Sequence, residues 1–273
     1  MSIKSMPVWK WVLLLIASFV LALLMYSLSQ ALTYAVGLPW LRCLLSVVVA
    51  AVMIGLYAVF VNWFERQPAR DIPLHAAGKD FGIGLVIGML FFVAVVGLMW
   101  AFGLYKVTAA GTDQPGAIVM ALFHCLITAV GEEILFRGVL FRWIDEKWGF
   151  VWALIISSLL FGVMHIANPG ATWWSSLAIV IEAGLLLGAA YKWSGNLWLP
   201  IGIHLAWNFV QGSIFGIAVS GSDAGVSLFR SSIQGPDILT GGDFGAEASI
   251  FTVILGAALS VWYIVKIVRK NRS

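Results

Sequence analysis

AIVMALFHCLITAVGEEILFRGVLFRW, residues 117–143, is the stretch that decides the fold. It is apolar over more than the roughly 20 residues that a bilayer-spanning helix needs. Past its middle it nevertheless carries Glu132, Glu133 and Arg137. Ionisable groups at membrane depth are costly and mark function.

The rest of the chain has the same character. Of its 273 residues, 61% are hydrophobic and 11% charged, whereas a soluble domain carries roughly a quarter charged residues. The apolar residues come in long runs rather than in one-face stripes. These features predict an all-α, polytopic transmembrane helical bundle of about eight spans, near 9–35, 41–63, 82–104, 117–143, 149–167, 173–192, 197–219 and 248–267. The fourth turns amphipathic where Arg142, Asp145, Glu146 and Lys147 gather. Residues 1–116 then hold the first spans, 117–219 a core with the polar motifs, and 220–273 a Gly/Ser/Asp-rich loop and a final span. A second long connector, Glu65 to Asp80, is charged and holds Pro68 and Pro73. The run from Trp9 to Gly37 is too long for a signal peptide and reads as a retained first span.

Basic residues set the expected orientation. With the N- and C-termini in the cytoplasm, Lys4, Lys10, Arg66, Arg70, Lys79, Arg137, Arg142, Lys147, Lys192, Lys266, Arg269, Lys270 and Arg272 fall inside. Arg42, Lys106 and Arg230 remain outside, a sorting of 13 to 3. The expected location is the cell (inner) membrane, multi-pass, with lipid as the surrounding partner. No basic stripe of the kind that binds nucleic acid occurs. Cys43 and Cys125 lie within apolar runs and read as small packed residues rather than a disulfide or metal pair.

Three segments set polar residues at helical spacing. Glu133 and Arg137 are four apart and share a face, as an ion pair requires. Glu132 points about 100° away and is free to serve as a general base. Phe161 and His165 share a face of the fifth span, which Pro169 and Gly170 must end. Glu132 precedes Lys147 by 15 residues and His165 follows it by 18, so a hairpin brings acid and imidazole to one level. His204 and Asn208 are also four apart and offer paired donors of the oxyanion-hole kind. By the same arithmetic His204 lies shallower than Glu132, unless the turn before it is drawn into the membrane. His124 and His75 read as a packed and a solvated histidine. Glu182 has no obvious partner except Lys192, or else it lines the cavity. Gly184 and Gly188 form a close-packing face. Polar helix–helix contact is the bland alternative for each motif.

Together the segments resemble the CAAX protease and bacteriocin-processing family of intramembrane proteases, also called the Abi or Rce1-type family. The family pattern is matched by Glu132-Glu133-Ile-Leu-Phe-Arg137, Phe161-Gly-Val-Met-His165 and His204-Leu-Ala-Trp-Asn208, in that order. Gly138, Gly184, Gly188, Tyr191, Gly195 and Leu197-Trp198 add to the likeness, which covers about residues 117–212.

The resemblance implies a hydrolase with its site open to the cytoplasmic side, cutting a peptide bond near that face of the membrane. Glu132 and His165 would activate water, with His204 and Asn208 as oxyanion donors and Glu133, Arg137 and Phe161 as supports. The preferred reading has no cofactor. The alternative is a zinc metalloprotease with Glu132, His165 and His204 as ligands, although no His-Glu-x-x-His occurs. A non-enzymatic scaffold or immunity protein and a small proton-coupled transporter are the other classes. The expected substrate is a membrane-associated peptide or protein, with CAAX-type tails and leader peptides both open.

Overall fold

The computed structural model of the chain describes residues 3–66, 68–111 and 114–270. It is a helical bundle. Helix α1 is Val8–Tyr34, α2 Pro39–Phe60 and α3 Leu74–Ala101. Helix α4 is Pro115–Trp148 and α5 Phe150–Met164, the latter ending in a tight turn His165–Ala167. Helix α6 is Trp173–Ser194, α7 Trp198–Phe209 with a wide turn Val210–Ile214, and α8 Ile250–Lys270. Apart from α7, the seven helical stretches are long and apolar enough to cross a membrane. The chain is a multi-pass membrane protein.

The boundaries follow local chemistry. Pro39 and Pro115 open α2 and α4 at the first helical position, where a missing N–H costs nothing. Gly149 (φ 88°) and Gly195 (φ 71°) make the reversals after α4 and α6, conformations that other residues disfavour. Thr172 and Ser175 form a reciprocal capping box at the start of α6, satisfying donors that would otherwise be orphaned.

The third span starts at Leu74, eight residues before the expected 82, because the polar turn holding Lys79 and Asp80 continues the helix. That extension has a purpose in the packing. Asp80 accepts a hydrogen bond from the Asn196 amide at 2.6 Å, and the Asp71 carbonyl accepts from the Leu197 N–H at 2.7 Å. The turn between α6 and α7 is therefore drawn in under the α2–α3 connector, with Leu197 fully buried. Helix α7 falls short of the expected 219 at its other end, where the wide turn Val210–Ile214 runs into Gly216 with φ 64°.

The connector 215–249 is more ordered than a Gly/Ser/Asp-rich composition suggests. Strands β1 (Tyr105–Ala109) and β2 (Phe229–Ile233) pair antiparallel, with Lys106 opposite Ser232 and Thr108 opposite Arg230. The Tyr105 hydroxyl donates to the Thr240 carbonyl at 2.7 Å. The α3–α4 and α7–α8 connectors thus form one cap at one end of the bundle.

The opposite end is basic. Lys147 donates to the carbonyls of Lys4 and Met6, and Lys192 pairs with Asp145 at 2.6 Å. Trp193 packs on Trp262 and Tyr263, which brings Lys266, Arg269 and Lys270 to the same end. Arg137 departs from the expected sorting: it is buried in the bundle interior, 1% exposed. Arg272 lies outside the described residues.

Helices α3 and α7 cross so closely that only glycine fits. A Cβ on Gly84 would meet the Leu199 carbonyl, one on Gly88 the Ile203 carbonyl, and one on Gly202 the Phe81 carbonyl. Small residues allow such backbone approach in membranes. The crossing fixes the face that α7 turns to α4. We expect Gly88→Leu to cost ~1–3 kcal/mol through overpacking, read as a lower melting temperature in detergent. Gly97→Leu on the same helix faces open space and is expected to melt like the parent protein.

Candidate functional site

Glu133 and Arg137 form the ion pair that their spacing predicts, at 2.8 Å and with both side chains buried. Arg137 also donates to the Gly184 carbonyl at 3.2 Å, and its guanidinium lies 4.8 Å from the Phe161 ring centre. The same Oε1 of Glu133 lies 2.9 Å from Nδ1 of His204. One carboxylate therefore links α4 to α7 directly and to α6 through Arg137. The drawn-in turn before α7 lowers His204 to this level, which removes the depth mismatch expected from residue counting.

Glu132 points elsewhere. It lines a polar cavity of about 340 Å³ together with His165, His204 and Asn208. Its carboxylate lies 3.8 Å from Nε2 of His204 and 3.4 Å from the Tyr26 hydroxyl, which donates to it. Its hydrogen-bond partner among the described residues is thus Tyr26 rather than His165. His165 has Nδ1 2.7 Å from the Phe161 carbonyl. Where Nδ1 carries the hydrogen, it donates to that carbonyl and Nε2 is left as the free ring nitrogen. Apolar rings pack behind the polar groups: Phe136 lies edge-on to Phe161 at 4.8 Å, and Trp207 stacks on Phe91 at 4.6 Å. Immediately after Glu133 and after Phe209 the backbone widens into π-type turns, Ile134–Phe141 and Val210–Ile214. Such turns recur at functional sites.

Among the described residues, no three His, Cys, Asp or Glu side chains gather closely enough to hold a metal ion. With His204 Nδ1 held by Glu133, Nε2 is the ring nitrogen turned toward Glu132, 3.8 Å away. Glu182 is buried on the far side of α6 and packs against Gly256. It neither lines this cavity nor meets Lys192, which Asp145 holds. Gly184 and Gly188 serve close packing, against Ser158 and against Leu154 and Phe141.

Two contributors were not singled out from the sequence. The first is α1. Tyr26 reaches Glu132, and Gln30 donates to the Tyr26 hydroxyl and to Thr128, each at 3.0 Å. Gly131 lets the Tyr26 ring lie flat against α4. The spacing of Tyr26 and Gln30, four apart in an apolar run, is the signal that could have found them.

The second is Glu247, in the short turn before α8. It is 3% exposed and accepts from the Ser220 N–H at 2.6 Å, the Ser220 hydroxyl at 3.1 Å and the Trp207 indole at 3.1 Å. Burial pushes its carboxyl up, opposed by the Ser220 amide, the His165 imidazole, and the Ser220 and Trp207 side chains. Glu247, His165, His204 and Asn208 border a small recess off the main cavity. Ser220 has a positive φ of 48°, and its carbonyl accepts from the Asn168 amide at 2.9 Å. Strained residues of this kind persist where the surroundings over-determine them.

Fold and cavity define a class: a polytopic membrane protein with an acid, two imidazoles and a carboxamide on one interior pocket. Comparison narrows it. Residues 114–210 match the family described as type II CAAX prenyl endopeptidase Rce1-like, so the resemblance carried by the three motifs is borne out over that segment. Two Bacillus subtilis (strain 168) proteins are also similar. "Uncharacterized protein YpbD" is 27% identical over 154 residues, 54% of this chain and 76% of that protein. "Putative membrane peptidase YdiL" is 29% identical over 90 residues, 33% of this chain and 34% of that protein. The chain therefore spans about a third of YdiL. These similarities support a membrane protease.

The cavity is elongated along the helices. On α4 the cavity extends from Glu132 through Thr128, Cys125 and Ala121, toward Pro115. On α1 it extends from Tyr26 to Tyr34, and Ser220 to Ala224 of the α7–α8 connector complete it. All of these lie on the side of the cap, away from the basic end.

Glu247→Ala leaves the Ser220 amide and the Trp207 indole without their acceptor. Each unsatisfied buried donor costs about 1–3 kcal/mol. We expect a lower melting temperature and faster tryptic cleavage at Arg230, with Glu247→Gln intermediate because its amide oxygen still accepts.

Proposed function

We propose that the chain is a metal-free intramembrane endopeptidase in which Glu132 activates water. The supporting observation is that Glu132, His165, His204 and Asn208, from three different helices, line one polar cavity. Within it, Glu132 takes a proton from a water held between the acid and Nε2 of His165. The hydroxide oxygen bonds to the carbonyl carbon of the scissile peptide, and the carbonyl electron pair moves to its oxygen.

That oxyanion needs donors placed in advance, the usual source of the largest rate term. Asn208 supplies an N–H. His204 supplies Nε2–H while its Nδ1–H donates to Glu133, so in this role the ring carries both hydrogens. The tetrahedral adduct collapses when the proton on Glu132 passes to the leaving nitrogen. The C–N bond breaks, giving a carboxylate and an amine. Glu133 and Arg137 touch no reacting atom in this scheme; they hold His204.

The two adjacent glutamates are thus expected to behave oppositely. Glu132→Gln keeps the shape of the side chain and loses the base, so cleavage of a membrane-associated peptide falls by at least about 100-fold, the range for removing general-base catalysis, with the melting temperature unchanged. Glu133→Gln strands the Arg137 charge in the interior, costing about 3–5 kcal/mol, so the protein is recovered poorly folded. Wild-type turnover by Glu132→Gln removes it from catalysis. A strong chelator is expected to leave cleavage intact; loss that zinc restores points to the metalloprotease alternative.

A further inference from the structure

Among the described residues, the polar side of the cavity leads toward the cap. Toward the basic end, Phe136 and Arg137 lie one turn below Glu132, and Phe161 lies at its level; each is at most 2% exposed, and together they close the floor. Above it the walls turn polar, with Gln30, Thr128, His124, Ser222 and Asp223 facing the space. A second hollow, shared at Tyr34, His124 and Ala224, continues the path to Arg42.

The charge sorting fixes which side this is. Lys4, Lys10, Arg66, Arg70, Lys79, Arg142, Lys147, Lys192, Lys266, Arg269 and Lys270 lie at the end away from the cap. Arg42, Lys106 and Arg230 lie at the cap end. With Arg137 removed from the count as a site residue, and Arg272 left aside, the bias is still 11 to 3. Lysine and arginine in short loops are retained in the cytoplasm.

We infer that the site opens on the extracytoplasmic side, and that its substrate is a polypeptide segment lying outside the cytoplasm at the membrane surface. The inference rests on the peptidase reading for the word substrate; the direction of opening stands on the cavity walls and the charges alone. A polar mouth suits a hydrated, extended backbone arriving from water. A tail displayed in the cytoplasm would meet the closed floor instead. The cap formed by β1, β2 and the connector around Ser220 and Glu247 becomes the surface that such a segment crosses on its way to Glu132.

The test uses the full chain in intact cells, with Cys43 and Cys125 replaced by Ala and one new cysteine at a time. Asp223→Cys at the mouth is expected to react with a membrane-impermeant maleimide in intact cells. Arg70→Cys at the basic end is expected to react only after the membrane is opened. The reverse pattern overturns the inference, whether or not the protein cleaves anything. A second arm adds a soluble peptide library to right-side-out and to inverted vesicles, each with the Glu132→Gln variant as the blank. Cleavage by right-side-out vesicles alone supports the inference, and cleavage by inverted vesicles alone overturns it. With the mouth labelled from outside, absence of cleavage in both counts against the peptidase reading for free peptides and leaves the direction of opening established by the labelling.

Discussion

Glu133 is the constraint on which the site depends. A carboxylate with no exposed surface survives inside a bundle only if its charge is answered, since an unpaired buried ion costs several kcal/mol. Arg137, one turn along α4, answers it through one amino group and donates from the other to carbonyls of α6. His204 answers it from α7. Three helices are thereby set at fixed rotation about one oxygen atom. The residues that reach the cavity, Glu132 beside Glu133 and Asn208 one turn beyond His204, inherit their directions from that arrangement. The glycine crossing of α3 on α7 and the inward turn at Asn196 and Leu197 set the height at which it happens.

Much of this was legible in the sequence because two periodicities carry it. Long apolar runs give the helices, and the i, i+4 spacing of Glu133 with Arg137, Phe161 with His165, and His204 with Asn208 gives the faces. What residue counting could not give was relative depth. The level of His204 depends on Asp71 and Asp80 pulling the turn before α7 inward, and those bonds join segments more than a hundred residues apart. The start of α3 at Leu74 was hidden for a related reason: Lys79 and Asp80 lower the hydropathy of a stretch that is helical because it caps that turn. Glu247 was hidden because nothing local marks it. It lies in a stretch rich in Gly, Ser and Asp, and its importance comes from Trp207 and Ser220, which the fold brings to it.

The outer parts of the chain prove to belong to the site as much as the matching segment 114–210 does. Helix α1 brings Tyr26 to Glu132, and the connector to α8 brings Glu247 to the recess beside His165. The core presents an acid, imidazoles and an amide; the first helix and the cap complete the walls around them.

The most direct measurement of the central claim is a single-turnover cleavage in water enriched in oxygen-18, with an amine nucleophile present. The account predicts that the new carboxylate carries one labelled oxygen in the first turnover, that no amide to the added amine forms, and that product is lost with Glu132→Gln. An unlabelled first product, or transfer of the acyl group to the amine, would mean that a side chain rather than water attacks the peptide and would contradict it.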